Sequence, residues 1–320
     1  MSKVRGRYAP SPTGLIHVGN ARTALAAWLS VRSQGGSFVW RLEDIDGPRV
    51  VPGMAEAAIE DLSWLGLDWD EGPYIQSQRS AFYEEALAKL ASAGRLFPCR
   101  RSRKELQTIA SAPHGPEAMA YPAAFRPERL EPGWFEQCTD AAIRFLVHEE
   151  PVEWMDWVHG RQVERVDQTV GDFVLKRRDG LYAYQLAVVV DDLLMGINEV
   201  VRGADLLDST ARQIQLIEAL GGAPPVYAHV PLVVNGEGEK LSKRDAGLTL
   251  RSLREAGMRS EELAGYLGWS LGILDRPEPC PAAELVPRFG WEKVRRETWT
   301  LTPRPPLPPA LTPARERGSS

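Results

Sequence analysis

Short strand patterns alternate with helical ones through the first hundred residues, and this alternation limits the fold more than any other feature. Arg5 to Ala9 reads as a strand that stops at Pro10 and Pro12, which lack the N–H a central ladder needs. Behind Asn20, a residue type that caps helices, Ala21, Ala24, Leu25, Trp28 and Leu29 recur at helical spacing. Gly35-Gly36 closes that helix, and Ser37 to Leu42 is the next strand. Gly53 to Trp64 and Ser80 to Ala93 are two further helices. Strands separated by helices need crossovers, so the expected sheet is parallel and the fold class α/β. Later, Leu181 to Val190 is a near-continuous apolar run, read as a buried parallel strand. Asp208 to Leu220 is a helix ending at Gly221-Gly222, Val226 to Val234 a strand, and Glu261 to Leu267 part of a small helical region.

A chain of 320 residues, 43% apolar and 25% charged, can bury a sizeable core, which excludes disordered, collagen-like and disulfide-scaffold classes. Thirty-eight cations against 43 carboxylates leave a net charge of −5, so general basicity does not bind nucleic acid here. A local basic surface remains open. One candidate is the run from Arg95 to Lys104, which holds Arg95, Arg100, Arg101, Arg103 and Lys104 and no acid. A Pro/Gly-rich stretch from Pro113 to Gly133 follows it and looks like an insertion between sheet halves. No run of 18 apolar residues exists, and no apolar signal region follows Met1, so a cytoplasmic protein without a membrane span is expected. Cys99, Cys138 and Cys280 are scattered and odd in number, which fits a reducing compartment.

Two segments carry chemistry. The first is Pro10-Ser11-Pro12-Thr13-Gly14-Leu15-Ile16-His17-Val18-Gly19-Asn20, where a stiffened turn enters a helix. Backbone donors at a helix start suit phosphate, His17 can donate to a phosphate oxygen, and Gly19 lets a nucleotide ring approach the backbone. Taken alone, a His-x-Gly is more often simply a turn. The second is Asn235 to Arg244, a glycine-bearing loop ending in Lys240, Leu241, Ser242, Lys243 and Arg244. Its cations can swing onto a triphosphate and stabilise charge as pyrophosphate leaves, although a lone Lys-x-x-Lys is usually a solvated loop.

Together these segments resemble the two signature motifs of class I aminoacyl-tRNA synthetases. Arg7-Tyr8-Ala9-Pro10-Ser11-Pro12-Thr13-Gly14 and Arg41-Leu42-Glu43-Asp44-Ile45-Asp46 are similar to the glutamyl-tRNA synthetase group. The stretches from Asp46 to Gly53, Gly180 to Asp192 and Val201 to Leu206 look like that group's short branch, the glutamyl-Q tRNA(Asp) synthetases. Only 76 residues follow Arg244, too few for the helical anticodon-binding domains of the longer branch.

The resemblance implies a Rossmann-like catalytic domain with an inserted α+β subdomain and a short C-terminal helical region. The expected bounds are 1–95 and 181–245 for the two halves of the catalytic domain, 96–180 for the insertion, 246–301 for the helical region and 302–320 for a Pro-rich flexible tail. It implies ATP-dependent activation of L-glutamate, with Mg²⁺, and transfer to queuosine of tRNA(Asp) by a cytoplasmic monomer. The alternatives are a truncated enzyme charging tRNA(Glu) and a non-catalytic RNA-binding module.

Glutamate offers two carboxylates and an ammonium, which call for cationic forks and one anionic partner. Arg7 and Arg202 are the candidate forks, Glu43 the ammonium partner and Tyr184 the residue closing the pocket, with Ala9 and Ser11 in the turn. For ATP the candidates are His17, Gly19, Asn20, Lys240, Ser242 and Lys243. The ordinary alternatives are a surface ion pair for Arg41 or Arg202 and a solvated or metal-binding loop at Glu43-Asp44-x-Asp46. In one respect the chain departs from the family it resembles. Many short-branch members hold zinc with Cys-x-Cys and Tyr-x-x-x-Cys, where this chain has Cys99, Arg101, Tyr121 and Phe125. A structural zinc wants four ligands, mostly thiolate or imidazole, so zinc is expected to be absent and packing around Phe125 to replace it.

Overall fold

A computed structural model of the chain describes residues 3–45, 47–101, 105, 120–239, 241 and 248–301. Strands β1 (Arg5–Tyr8), β2 (Ser37–Leu42) and β3 (Glu71–Ile75) form a parallel sheet, crossed over by helices α1 (Val18–Ser33) and α2 (Met54–Trp64). After α3 (Ser80–Ser92), strands β4 (Leu96–Cys99), β5 (Ala142–Phe145) and β8 (Phe173–Lys176) make a separate antiparallel sheet. Between β5 and β8 in sequence, the hairpin of β6 (Val152–Asp156) and β7 (Gly160–Glu164) joins a different sheet.

That sheet has the order β7-β6-β10-β9, where β9 (Glu199–Gly203) and β10 (Val226–Val230) run parallel. Its β9 edge abuts β1: the Asn198 N–H donates to the Arg5 carbonyl at 3.0 Å, and the Arg5 N–H returns a bond to Asn198 Oδ1 at 2.8 Å. Helices α4 (Tyr184–Leu194) and α5 (Thr210–Ala219) flank β9 in sequence. Strand β11 (Val233–Val234), α6 (Leu250–Glu255), α7 (Ser260–Leu271) and β12 (Trp299–Thr300) complete the chain, with β11 pairing β12.

Helix α1 is the centre of the larger core. Its Ala21, Ala24, Ala26 and Ala27 are small enough to let the helix lie close between the sheet and α7, while Leu25 and Leu29 fill the space around them. A Cβ on Gly6 of β1 would lie 2.5 Å from Val31 Cγ2, so only glycine permits this approach. Arg22, buried in the same helix, donates to the carbonyls of Pro231 at 2.7 Å and Ser270 at 3.1 Å and so ties α1 to β10's end and to α7. Burial, with the charge of Arg295 adding to it, pushes this guanidinium down to about 10.

Three sequence expectations change. The run Leu181 to Val190 is not a strand; α4 begins at Tyr184 and continues through Asp191 and Asp192 to Leu194. Helices α3 and α5 and strand β8 all pack on it, so its residues are apolar on every side and helical periodicity is erased. Asn20 does not cap α1. His17 takes that position with extended backbone, and its ring Nδ1 accepts the Asn20 N–H at 3.2 Å. The strand expected from Val226 to Val234 is broken after Val230 by Pro231, and Val233–Val234 pairs in another sheet. The tail expected from Thr302 lies outside the described residues. Among the described residues no helix is long and apolar enough to cross a membrane.

Candidate active site

The C-terminal ends of β1 and β9, the turn from Ala9 to Ile16, and the start of α1 enclose a cavity of about 990 Å³. Open parallel sheets place their ligand crevice at such strand ends. Arg7, Ala9, Ser11, Glu43, Tyr184 and Arg202 line it, and so do His17, Gly19 and Asn20. Arg7 and Arg202, 195 positions apart in sequence, are thereby brought to one cavity. Lys240, Ser242 and Lys243 lie outside the described residues. Leu241 between them is buried and lines the same cavity.

The two arginines are held rigidly and differently. Arg7 donates from Nε to Asp192 Oδ1 at 3.2 Å, and Arg41 donates to the same oxygen at 2.7 Å. Arg41, fully enclosed, also donates to Glu43 Oε1 at 3.0 Å. Burial penalises the charge on Asp192, but Arg7 and Arg41 outweigh it and hold this carboxyl below the usual carboxylate range. For Glu43 burial wins over the two arginines and its carboxyl is raised. Burial likewise raises the Tyr184 phenol.

Among the described residues Arg202 has no carboxylate partner. It donates from Nε to His229 Nε2 at 2.9 Å, from Nη1 to Gln213 Oε1 at 2.6 Å and from Nη2 to Thr210 Oγ1 at 2.9 Å. Neither Arg41 nor Arg202 is a surface ion pair, because both are buried. Nor do Glu43 and Asp44 share a metal-type loop: Asp44 turns away to accept the Ser77 N–H and hydroxyl at 2.8 and 2.6 Å. Asp46 lies outside the described residues.

At the other part of the cavity, His17 sits over the first turn of α1. With Nδ1 accepting the Asn20 amide, the imidazole carries its proton on Nε2 when neutral. A Cβ on Gly19 would lie 3.1 Å from the His17 ring, so Gly19 keeps the imidazole seated on the helix. The turn thus presents the N–H groups of a 16-residue helix and one ring N–H, a set suited to phosphate oxygens.

The family's zinc positions do not fit zinc. Arg101 stacks its guanidinium 4.1 Å from the Phe125 ring centre, and Phe125 packs edge-on against Tyr121. Cys99 Sγ lies 3.4 Å from the Tyr121 hydroxyl, and Arg144 covers the other ring position at 4.0 Å. Two donors with two cations beside them cannot make a tetrahedral thiolate site. Among the described residues no group of three or more His, Cys, Asp or Glu could hold a metal.

Residues 3–298 match the family model of class I (E and Q) tRNA synthetases, catalytic domain. The chain belongs to that family. As a class I synthetase of the E and Q type it is a ligase forming carbon–oxygen bonds. It is 47% identical over 305 residues to the glutamyl-Q tRNA(Asp) synthetase of Symbiobacterium thermophilum, covering 91% of this chain and 94% of that one. Against the glutamate–tRNA ligase of Paraburkholderia phytofirmans identity is 42%, covering 85% of this chain but 59% of the other. The solved glutamate tRNA ligase of Elizabethkingia meningosepticum, in complex with its amino acid, superposes with a TM-score of 0.81 at 29% identity, covering 94% of this chain and 67% of that one. The parallel α/β sheet expected from the strand and helix alternation, and the Rossmann-like domain that the resemblance implied, are the synthetase fold.

Sequence reasoning missed the residues that hold the arginines. Asp156, His229, Thr210 and Gln213 bear no motif, and Asp192 closes the stretch Gly180 to Asp192 with no role assigned to it. Their only signal was polarity inside apolar surroundings: His229 interrupts an otherwise apolar strand, and Asp191-Asp192 ends an apolar run. Such residues are buried only when paired.

Proposed function

We propose that the chain activates L-glutamate with ATP to glutamyl-adenylate and passes the glutamyl group to queuosine in the anticodon of tRNA(Asp). The convergence of Arg7, Arg202 and Glu43 on the cavity that also contains His17 carries the first half of this reading. Two guanidinium groups match two carboxylates, and Glu43, pinned through one oxygen by Arg41, matches the ammonium. Tyr184 closes over the substrate, and Ala9 and Ser11 leave room beside it. ATP enters as its magnesium complex, the ion arriving with the substrate.

The α-carboxylate of glutamate attacks the α-phosphorus of ATP, the bond to the β,γ-phosphates breaks, and pyrophosphate leaves. No proton has to move in this step, so the chain's contribution is alignment and charge neutralisation. His17 donates from Nε2 to a phosphate oxygen, with Asn20 and the first turn of α1 beneath it. Lys240, Ser242 and Lys243 are the loop residues assigned to the leaving phosphates. The acyl group then passes to a hydroxyl of the RNA.

The choice of queuosine rests on the name carried by relatives such as that of Symbiobacterium thermophilum, which this chain matches nearly end to end. Incubating bulk tRNA with labelled glutamate and ATP tests it: the label should follow the queuosine nucleotide on digestion. Alkali-labile glutamate on queuosine-free tRNA(Glu) would instead make the protein a tRNA(Glu)-charging enzyme.

A further inference from the structure

Behind Arg202 lies a second layer of buried polar groups that the reaction does not touch. The Arg202 Nε–H donates to His229 Nε2 at 2.9 Å, and an arginine N–H only donates. Nε2 must therefore be the unprotonated ring nitrogen. The ring proton is on Nδ1, which donates to Asp156 Oδ2 at 2.6 Å. Both His229 and Asp156 are buried completely. The remaining oxygen, Asp156 Oδ1, accepts the N–H groups of Val158 and His159 at 2.9 Å each, and that of His229 at 3.3 Å. The carboxylate is fixed by backbone, the imidazole by the carboxylate and the guanidinium by the imidazole.

We propose that Asp156 and His229 are positioning residues for Arg202, with Asp156 selecting the imidazole tautomer whose Nε2 lone pair sets the guanidinium plane against the cavity. A side chain of the β6–β7 hairpin thereby governs glutamate affinity without touching the substrate. This inference rests on the reading of Arg202 as a glutamate fork.

The surroundings favour that tautomer. Asp156 faces His229 from β6 and Arg202 from β9, while α5 contributes the neutral Thr210 and Gln213. His159 lies against the His229 carbonyl, and Tyr227 stacks on the ring from the same strand. Burial lowers the imidazole, Asp156 opposes this and Arg202 adds to it, so the ring stays neutral below the ordinary histidine range. A neutral ring with a carboxylate on Nδ1–H has only Nε2 to offer the arginine.

Asp156→Asn is the discriminating variant. Its carbonyl oxygen is needed by the backbone N–H groups at the Oδ1 position, so the NH₂ falls at Oδ2 and donates to Nδ1. The ring proton then moves to Nε2 and meets the Arg202 Nε–H, the same tautomer reversal that an Asp→Asn change produces in a catalytic triad. In ATP–pyrophosphate exchange the glutamate KM should rise tenfold or more while the ATP KM stays within twofold. In the His229→Gln background, Asp156→Asn should change the glutamate KM less than twofold further.

Nitrogen-15 NMR of histidine-labelled wild-type protein, with His229 assigned by its loss in His229→Gln, should show Nδ1–H and a bare Nε2. A wild-type ring protonated on Nε2 overturns the proposal, whether or not Asp156→Asn folds. So does a glutamate KM in Asp156→Asn equal to wild type, or glutamate and ATP KM rising in parallel. Failure of the functional reading looks different: wild-type protein would then show no glutamate-dependent exchange at all.

Discussion

Arg7 and Asp192, 185 residues apart in sequence, are joined by a hydrogen bond of 3.2 Å from Nε to Oδ1, and Asp192 also takes Arg41 at 2.7 Å. One carboxylate thus holds two buried guanidinium groups, of which Arg7 lines the cavity and Arg41 lies behind it. Asp192→Asn keeps the shape and removes the charge, taking from Arg7 its carboxylate partner while Arg41 keeps Glu43 at 3.0 Å. Breaking a buried pair in this way costs about 3–5 kcal/mol. Urea unfolding should show a loss in that range, and a loss below about 1 kcal/mol would mean that Asp192 is not what holds the arginines.

Arg202→Lys retains a cation and loses the planar fork that reaches His229, Gln213 and Thr210. The glutamate KM in pyrophosphate exchange should rise at least tenfold, with the ATP KM unchanged. A wild-type glutamate KM would remove Arg202 from the substrate site.

Gly19→Ala separates stability from activity. Alanine in the first turn of α1 gains about 0.5–1 kcal/mol of helix preference, partly offset by its contact with the His17 ring at 3.1 Å. The thermal midpoint should hold or rise slightly. Adenylate formation should fall by tenfold or more as the imidazole is displaced. Activity equal to wild type would show that the seat of His17 does not matter.

The pH profile of glutamate binding should carry the mark of Glu43. Burial raises this carboxyl above its ordinary 4.5 despite Arg41 and Arg7, with Asp192 adding to the shift. Glu43 serves the ammonium only when ionised. The glutamate KM should therefore climb as pH falls through the raised value, at a higher pH than an ordinary glutamate would cause. Glu43→Gln should show a high KM with that acid limb gone. An acid limb of the same position and steepness in Glu43→Gln would assign the titration elsewhere.

The stack of Arg101 on Phe125 and of Phe125 on Tyr121 makes a prediction about metal. Protein purified from zinc-supplemented medium should contain well below one equivalent of zinc, and chelator should leave its thermal midpoint unchanged. Phe125→Ala should cost about 2 kcal/mol through lost packing and cation–π contact. One equivalent of tightly held zinc would contradict the donor set seen at Cys99 and Tyr121.

Much of this protein could be read locally. The strand from Arg5, the helix over Ala21 to Leu29, the strand at Ser37 and the helices near Gly53 and Ser80 follow from apolar spacing and from glycine and proline, and the last two helices also expose one face while hiding another. The cavity residues Arg7, Glu43, His17 and Arg202 were named from short motifs whose members sit close in sequence. The composition of 38 cations and 43 carboxylates excluded only a generally basic surface.

Tertiary structure decided the rest. The run from Leu181 to Val190 became a helix because α3, α5 and β8 cover it on every side, and a segment buried all round carries no period to read. The partners of the arginines were invisible for a related reason. A single Asp or His has no local pattern, and its burial is tolerable only when the fold brings a matching group from far away, as β6 brings Asp156 to His229 and α4 brings Asp192 to Arg7. Sequence alone named the groups that face the cavity, whereas how firmly each is aimed depends on long-range pairs formed only in the folded chain.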